Sequence, residues 1–323
     1  MLEYERKYWS KNKQHIAGID EAGRGPLAGP VVAAAVIFPH DINLPEVNDS
    51  KKISEKKRER LYDEIYDSAI SIGIGIVYEK EIDEINILQA TYQAMRQSIG
   101  KLSVRPEVIL VDGNKADIKH YEQDSIIDGD QKSLSIAAAS IIAKVTRDRI
   151  MRKYDIVFPK YGFAKHKGYG TKHHIEALNN SKATPIHRKS FNPVANHLPT
   201  FEYYKRNHLF ESLGIQLVAC RMVRLGYEIL ETNYTTAGIR EVDIISNFKN
   251  NIVFTEVRTQ LAGSCNYNLK LIDSKKNEDY INAAELYLDS NKLNYKYRFE
   301  IGEVILGGNS PKIKIEENKI LVH

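Results

Sequence analysis

Cysteine is scarce in this chain: Cys220 and Cys265 are its two, 45 positions apart and without the spacing of metal ligands. Such a pair builds neither a zinc site nor a disulfide framework and reads as the reduced thiols of a cytoplasmic protein. Long apolar runs are missing too, the longest falling well short of the ~20 residues that cross a bilayer, so no membrane role is expected. The opening MLEYERKYWSKNK has no apolar core of the signal-peptide kind. No internal repeat and no low-complexity tract is present, which excludes a solenoid architecture. Charge of one sign is also in short supply, the net value being +4.

What is there fits a folded protein. With 42% hydrophobic and 27% charged residues over 323 positions, the chain is long enough for two domains with cores of their own. The small basic excess is uneven. Residues 196–323 hold 16 Lys+Arg and 16 Asp+Glu, leaving 30 of the 46 basic and 26 of the 42 acidic residues in the first 195. A basic rim around an acidic centre suits a polyanion gripped beside a metal site.

The chain is organised around HIAGIDEAGRGPLAGP, His15–Pro30. An apolar approach delivers Asp20 and Glu21, the turn Gly23-Arg24-Gly25-Pro26 follows, and Val31–Phe38 reads as a buried strand. Adjacent carboxylates at a strand end repel unless a cation neutralises them, and glycines let another backbone approach closely. Two further acids stand out by context, Asp112 at the end of the apolar run Val108–Val111 and Asp130 just before a small-residue helix over Ala137–Ile150. One geometric difficulty is built in: in a regular strand Asp20 and Glu21 face opposite ways, so a shared site requires a bend near Gly23. Asp148 is a tempting fifth ligand, but its spacing from Arg152 suits a helical ion pair.

Elsewhere, Leu2–Lys13 is either a packed helix or a loose arm. Ser54-Glu55 caps a helix over Lys56–Ala69, Ser71–Tyr78 is β-like, and Ile82–Ile99 is helical. Strands followed by crossover helices predict an α/β domain with a mixed sheet. Prolines and polar residues at Phe191–Lys205 mark a boundary, giving domains 1–195 and 208–323 joined by 196–207. Beyond it come a helix over Leu209–Arg224, a hairpin of Arg240–Ser246 and Ile252–Arg258, a helix near Glu278–Leu288 and β-like Lys296–Leu306.

The motifs GIDEAGRGP, NDSKK (Asn48–Lys52), VDGN at Asp112, GDQKSLSIAAASIIAKVTRDR from Gly129, KHKGYGTKHH from Lys165 and HRKSF (His187–Phe191) occur in that order. Together they make residues 13–193 resemble type 2 ribonuclease H, ribonuclease HII. The resemblance implies a ribonuclease H-like mixed sheet with C-terminal helices. It implies cleavage of RNA in RNA/DNA hybrids, and on the 5′ side of single ribonucleotides in duplex DNA, leaving 3′-hydroxyl and 5′-phosphate ends. By the same resemblance Asp20, Glu21, Asp112 and Asp130 hold two divalent ions, Mg²⁺ or Mn²⁺, a hard-cation preference that carboxylate oxygens share. It also assigns Gly23-Arg24-Gly25 to the 2′-hydroxyl and Tyr169 to the RNA–DNA junction. Lys51 and Arg188, with Ser140 and Lys144, are expected at phosphates. His166, His173, His174 and His187 sit among lysines and arginine, which opposes zinc and favours nucleic-acid contacts or surface histidines.

Residues 208–306 resemble the PD-(D/E)xK nucleases, and more closely the YraN family, through Asp243 and Glu256-Val257-Arg258, with Gly226–Leu230, Lys276 and Arg298-Phe299-Glu300 extending the likeness. This implies a smaller, restriction-endonuclease-like α/β domain. Arg258 stands where the family has lysine, and Ile215 where it has a glutamate, with Glu211 one turn earlier as a substitute. Arginine does not give up its proton as a lysine can. The expectation is a weakened or inactive nuclease fold that binds nucleic acid; the alternative is a second, DNA-cleaving activity.

Overall fold

The computed structural model describes residues 1–48, 50, 53–113, 118–236, 239–263, 274–292, 295–307 and 310–317, without the side chains of 236, 239–241 and 274–279. Lys51 and Cys265 lie outside the described residues, as does the side chain of Lys276. The elements are α1 Glu3–Trp9, β1 Ile16–Ala22, β2 Val31–Ile37, α2 Glu55–Ser68, β3 Ser71–Val77, α3 Glu79–Gly100, β4 Val108–Asp112, β5 Glu122–Ile126 and α4 Leu134–Val157. They continue with α5 Phe163–His166, α6 Lys172–Ser181, α7 Phe201–Arg206, α8 Phe210–Arg224, β6 Glu228–Thr236, β7 Ile239–Phe248, β8 Asn251–Leu261, α9 Ser274–Ser290, β9 Lys296–Leu306 and β10 Lys312–Glu317.

By packing, the chain divides into two units. The first takes Met1–Met151, His166–His174 and Ile186–Asn196; the second takes Arg152–Lys165, Ile175–Pro185 and His197–His323. Within 196–207, Thr200 caps α7 by accepting a hydrogen bond from the Tyr203 N–H.

The first unit is built on a five-stranded sheet in the order β3-β2-β1-β4-β5. β1 pairs antiparallel with β2 and parallel with β4. All seven residues of β2, VVAAAVI, are buried because both sheet faces are covered. Ala33, Ala35, Ile19 and Val111 pack with Ala90, Ala94 and Ile99 of α3. On the other face, Val32, Ala34 and Val36 meet Leu61 and Ile65 of α2 and Ala137–Ala143 of α4. α4 approaches β1 at Gly18, where an added Cβ would lie 2.1 Å from the Ser135 carbonyl carbon. The small residues of α4 therefore serve close helix–sheet packing.

Leu2–Lys13 takes the helical alternative. α1 buries Glu5, whose Oε1 accepts hydrogen bonds from the Ser133 hydroxyl and from the Ser135 N–H and hydroxyl, at 2.6, 3.0 and 2.7 Å. This carboxylate satisfies donors at the start of α4, as a capping residue would.

The second unit carries its own five-stranded sheet, β10-β9-β8-β7-β6. β7 and β8 form the expected hairpin, and β8 pairs parallel with β9. Its core gathers Ile252, Phe254 and Phe299 under Tyr280, Ala283 and Ala284 of α9.

Candidate active site

Two of the four acids meet through the parallel pairing of β1 and β4. Ile19 is opposite Val111, so Asp20 and Asp112 come next at the strand ends, on the same face. Gly18 sets that face as the one under α4. Asp130 sits in the 3₁₀ turn Gly129–Gln131 that precedes α4, and the Gly129 N–H donates to Asp112 Oδ1 at 2.7 Å. That bond fastens the Asp130 turn to the end of β4.

Asp20 is buried. Burial first, then the charges of Glu21 and Asp112, push its carboxyl well above the usual carboxylate range. Hydrogen bonds from Ser140 and from the Glu21 N–H, the latter at 2.7 Å, offset part of that. The strand does not bend away at Glu21: its register with β2 runs on through Glu21–Ala33 and Ala22–Val32. The expected bend is therefore not there, and Glu21 holds a regular strand position on the face opposite Asp20, with Arg24 Nη1 3.2 Å from its Oε1 and its charge still felt by Asp20.

An excess of buried negative charge, carried on hard oxygen donors, fits a divalent cation. No three His, Cys, Asp or Glu side chains among the described residues are already gathered around an ion-sized gap.

Beside the acids, the glycine turn is held from beneath by two buried arginines. Arg188 Nε and Nη1 donate to the carbonyls of Gly29 and Arg24 at 3.0 and 2.8 Å, and Nη2 donates to that of Gly23. Arg147 donates to the carbonyls of Pro30, Ala28 and Lys167 at 2.9, 3.0 and 2.9 Å. Burial pulls Arg188 down to about 9 and Arg147 to about 10, so both stay charged at neutral pH, with Glu79 and Tyr169 favouring that charge in each. Gly23 adopts φ +98°, and a Cβ there would lie 2.1 Å from Arg147 Nε. Glycine is required at this position on both counts.

The Tyr169 ring lies across from the same turn, with Cε1 3.7 Å from where a Gly25 Cβ would be. Tyr169 is 45% exposed, so a sugar can reach it.

Several expectations need correcting. Arg188 is not a phosphate contact; it is fully buried and committed to loop carbonyls. Ser140 points inward, paired with Ser50 Oγ at 2.8 Å and bonded to Asp20. Lys144 is joined at 2.8 Å to Asp148, which takes its ion pair from this residue four positions earlier. His174 and His187 are neither surface nor nucleic-acid-facing residues: both are buried and bonded to each other. Arg147, which motif reading passed over, is the second support of the loop. The sequence does not mark it out: it stands among Lys144, Asp148, Arg149 and Arg152, and nothing in that charged stretch says which cation turns inward.

In the second unit, Asp243 Oδ2 accepts from the Val257 N–H at 2.6 Å, which sets it beside Glu256. Arg258 Nη2 lies 3.5 Å from Glu256 Oε2. α8 packs on the other face, with Gly214 against Thr259. Ile215 and the exposed Glu211 therefore lie on the far side of the sheet from Glu256, and Glu211 does not replace the missing glutamate. A separate buried cluster joins Glu300 Oε1 to Arg298 at 2.7 Å and to the Tyr227 hydroxyl at 2.9 Å. Burial, then Glu300, pushes Tyr227 up to about 12.

A mixed sheet whose neighbouring parallel strands end in carboxylates under a helix is the architecture of ribonuclease H-like nucleases. Known proteins narrow that class. The pattern of the family described as Ribonuclease HII matches residues 17–194, and that of Uncharacterised protein family UPF0102 matches residues 216–304. Ribonuclease HII of Acetivibrio thermocellus is 59% identical over 191 residues, 59% of this chain and 75% of that protein. The Ligilactobacillus salivarius ribonuclease HII is 54% identical over 193 residues, 60% and 75% of the two chains. The crystal structure of the ribonuclease H2 from Pyrococcus horikoshii OT3 superposes with a TM-score of 0.50 at 28% identity, covering 56% of this chain and 96% of that one. The chain belongs to the ribonuclease HII family of endonucleases, and carries a UPF0102 domain behind it.

Proposed function

We propose that this protein hydrolyses RNA paired with DNA, both in RNA/DNA hybrids and on the 5′ side of a single ribonucleotide embedded in duplex DNA. The observation that carries the reading is the side-by-side placement of Asp20 and Asp112 at the ends of β1 and β4, with Asp20 pushed well above its usual range. Asp20, Asp112 and Asp130, with Glu21 turning in to them from the end of its strand, are the side chains that would hold two divalent ions, Mg²⁺ or Mn²⁺. When bound, such ions supply a nucleophilic water and neutralise charge on the departing oxygen. The remaining work falls to the chain's own groups. Arg188 holds the Gly23-Arg24 backbone and Arg147 the Ala28–Pro30 end of the same turn, keeping Gly23–Gly25 rigid against the 2′-hydroxyl, and Tyr169 closes the other side of the sugar. In the reaction a water oxygen bonds to phosphorus, the bond to the 3′-oxygen breaks, and that oxygen takes up a proton, leaving 3′-hydroxyl and 5′-phosphate ends. Ribonucleotide removal from DNA and primer processing in the cytoplasm are the tasks such chemistry serves.

Domains 1–195 and 208–323, joined by 196–207, divide the labour in this reading. The second is a nucleic-acid-binding module on a nuclease scaffold, supported by Arg258 in the lysine position and by Glu211 lying across the sheet from Glu256. No helix among the described residues is long and apolar enough to cross a membrane.

The test uses four labelled duplexes in Mg²⁺ and in Mn²⁺: all DNA, one embedded ribonucleotide, an RNA/DNA hybrid and a DNA flap. Cutting of the second and third by the native chain, abolished by Asp20→Asn, is the expected result. Undiminished cutting by Asp20→Asn would sink the four-carboxylate reading. Flap cleavage that survives Asp20→Asn and disappears with Asp243→Ala would instead make the second domain an active nuclease.

A further inference from the structure

The two segments that face the ribonucleotide, Gly23–Gly25 and Tyr169, lie far apart in the chain, and a pair of histidines that the chemistry leaves unused connects them. His174 Nδ1 lies 2.9 Å from the Tyr169 carbonyl oxygen, and its Nε2 lies 2.9 Å from Nε2 of His187. A carbonyl can only accept, so His174 carries its proton on Nδ1 and presents a bare Nε2. His187 must then donate through its own Nε2. His166 stacks on the His174 ring, centroids 4.7 Å apart, and its Nδ1 accepts from the Gly168 N–H at 3.2 Å.

At its other end the pair is tied to the glycine turn. His187 bridges Ala28, and the next residue, Arg188, donates to the carbonyls of Gly23, Arg24 and Gly29. The Leu27 N–H donates to the Gly168 carbonyl at 2.8 Å, and a Cβ on Gly168 would sit 2.5 Å from the Ala28 oxygen. Gly23–Pro30, His166–His174 and Ile186–Arg188 thus form one spliced platform.

We propose that His174 and His187 are positioning residues for recognition of a single embedded ribonucleotide, their directional imidazole pair setting the Tyr169 ring in register with Gly23–Gly25. The inference rests on the reading of those two segments as ribonucleotide contacts. Burial, and His166 beside it, holds His174 down to about 4, so at pH 7 this ring is neutral and its Nε2 is an acceptor. A neutral His174 makes His187 the donor and fixes the direction of the bond, whereas protonation of His174 would remove the acceptor. The effect falls on one class of substrate for a geometric reason. A hybrid offers a 2′-hydroxyl at every register, so a displaced Tyr169 finds another; an embedded ribonucleotide offers one.

The test measures kcat and KM on the single-ribonucleotide duplex and on a uniform hybrid for the native chain, His187→Leu, His187→Gln and Tyr169→Ala. His187→Leu is expected to lower kcat/KM on the single ribonucleotide by about 10- to 100-fold, mainly through KM, and on the hybrid by less than about 3-fold. His187→Gln, which keeps a donor near the Nε2 position, is expected to retain the native substrate ratio. His174→Asn keeps a donor for the Tyr169 carbonyl but stops short of His187; it is expected to show the leucine variant's split and replaces that variant if it does not fold. Equal loss on both substrates, or a glutamine variant as impaired as the leucine one, overturns the inference. If Tyr169→Ala leaves the ratio unchanged, the reading of Tyr169 itself fails; if it shifts the ratio and neither histidine variant does, only the positioning role fails. Nitrogen-15 imidazole spectra should show His174 protonated on Nδ1 and His187 on Nε2, and the reverse assignment would refute the polarity of the pair.

Discussion

At the scale of single residues, the two most informative groups are titratable ones whose burial opposes their charge. The Asp20 carboxyl, pushed well above its usual range by burial, Glu21 and Asp112, binds a proton more tightly folded than unfolded. Its favourable contribution is complete below the ordinary carboxylate value and is lost as pH rises through the folded one. Above the ordinary carboxylate range the group therefore opposes folding of the ion-free protein. Asp20→Asn should raise the melting temperature without divalent ions by about 2–5 °C while lowering cleavage on the order of 10³-fold. Scanning calorimetry with and without Mg²⁺ checks this, the ion stabilising the native chain more than the variant. His174 works in the opposite direction. Held down to about 4 by burial, it is protonated more readily unfolded, so its contribution is complete above about 6.5 and falls as pH drops towards 4. Between pH 7 and pH 5 it should remove about 1–2 kcal/mol, seen by urea unfolding as a slope that His174→Asn reduces.

At the scale of elements, the close approach of β1 and α4 is the contact on which the acids depend. Gly18→Ala would drive a methyl into the Ser135 backbone, costing about 2–3 kcal/mol and displacing the turn that carries Asp130. Thermal melts and cleavage rates should therefore fall together. Arg188→Lys should destabilise by about 3 kcal/mol, because one ammonium cannot serve three carbonyls spread over Gly23–Gly29; chemical unfolding measures this. The elements themselves were legible in advance. The apolar run of β2, the Ser54 cap of α2 and the paired runs of the β7–β8 hairpin each announce local structure through local chemistry. Burial of charge was not legible. Arg188 in HRKSF and Lys144 near Asp148 look like a phosphate-binding set on basic content alone, since a string of residues does not show which cation points inward. The same holds for His174 and His187, thirteen positions apart, whose partnership exists only once α6 and the Ile186–Arg188 segment are folded.

At the scale of the whole molecule, two sheets carry two acidic constellations of different quality. In the first, Asp20 and Asp112 share a face and a strand end under α4. In the second, Asp243 and Glu256 are neighbours, but Arg258 replaces a titratable lysine and α8 lies behind the sheet. Asp243→Ala should leave ribonucleotide cleavage within about 2-fold of native, as surface-like changes away from a site do; multiple-turnover rates at saturating duplex measure it. The buried arginines have one more consequence. Between Gly23 and Pro30, the carbonyls of Gly23, Arg24, Leu27, Ala28, Gly29 and Pro30 are all turned inward to donors. The Leu27 and Gly29 amides are taken up as well, so what the turn has left for a visitor is chiefly the amide hydrogens of Gly23–Gly25. An inhibitor aimed at this surface should accordingly be rich in acceptors, such as sulfonates, phosphonates or fluorinated sugars, and amine-bearing scaffolds should find little there to hold.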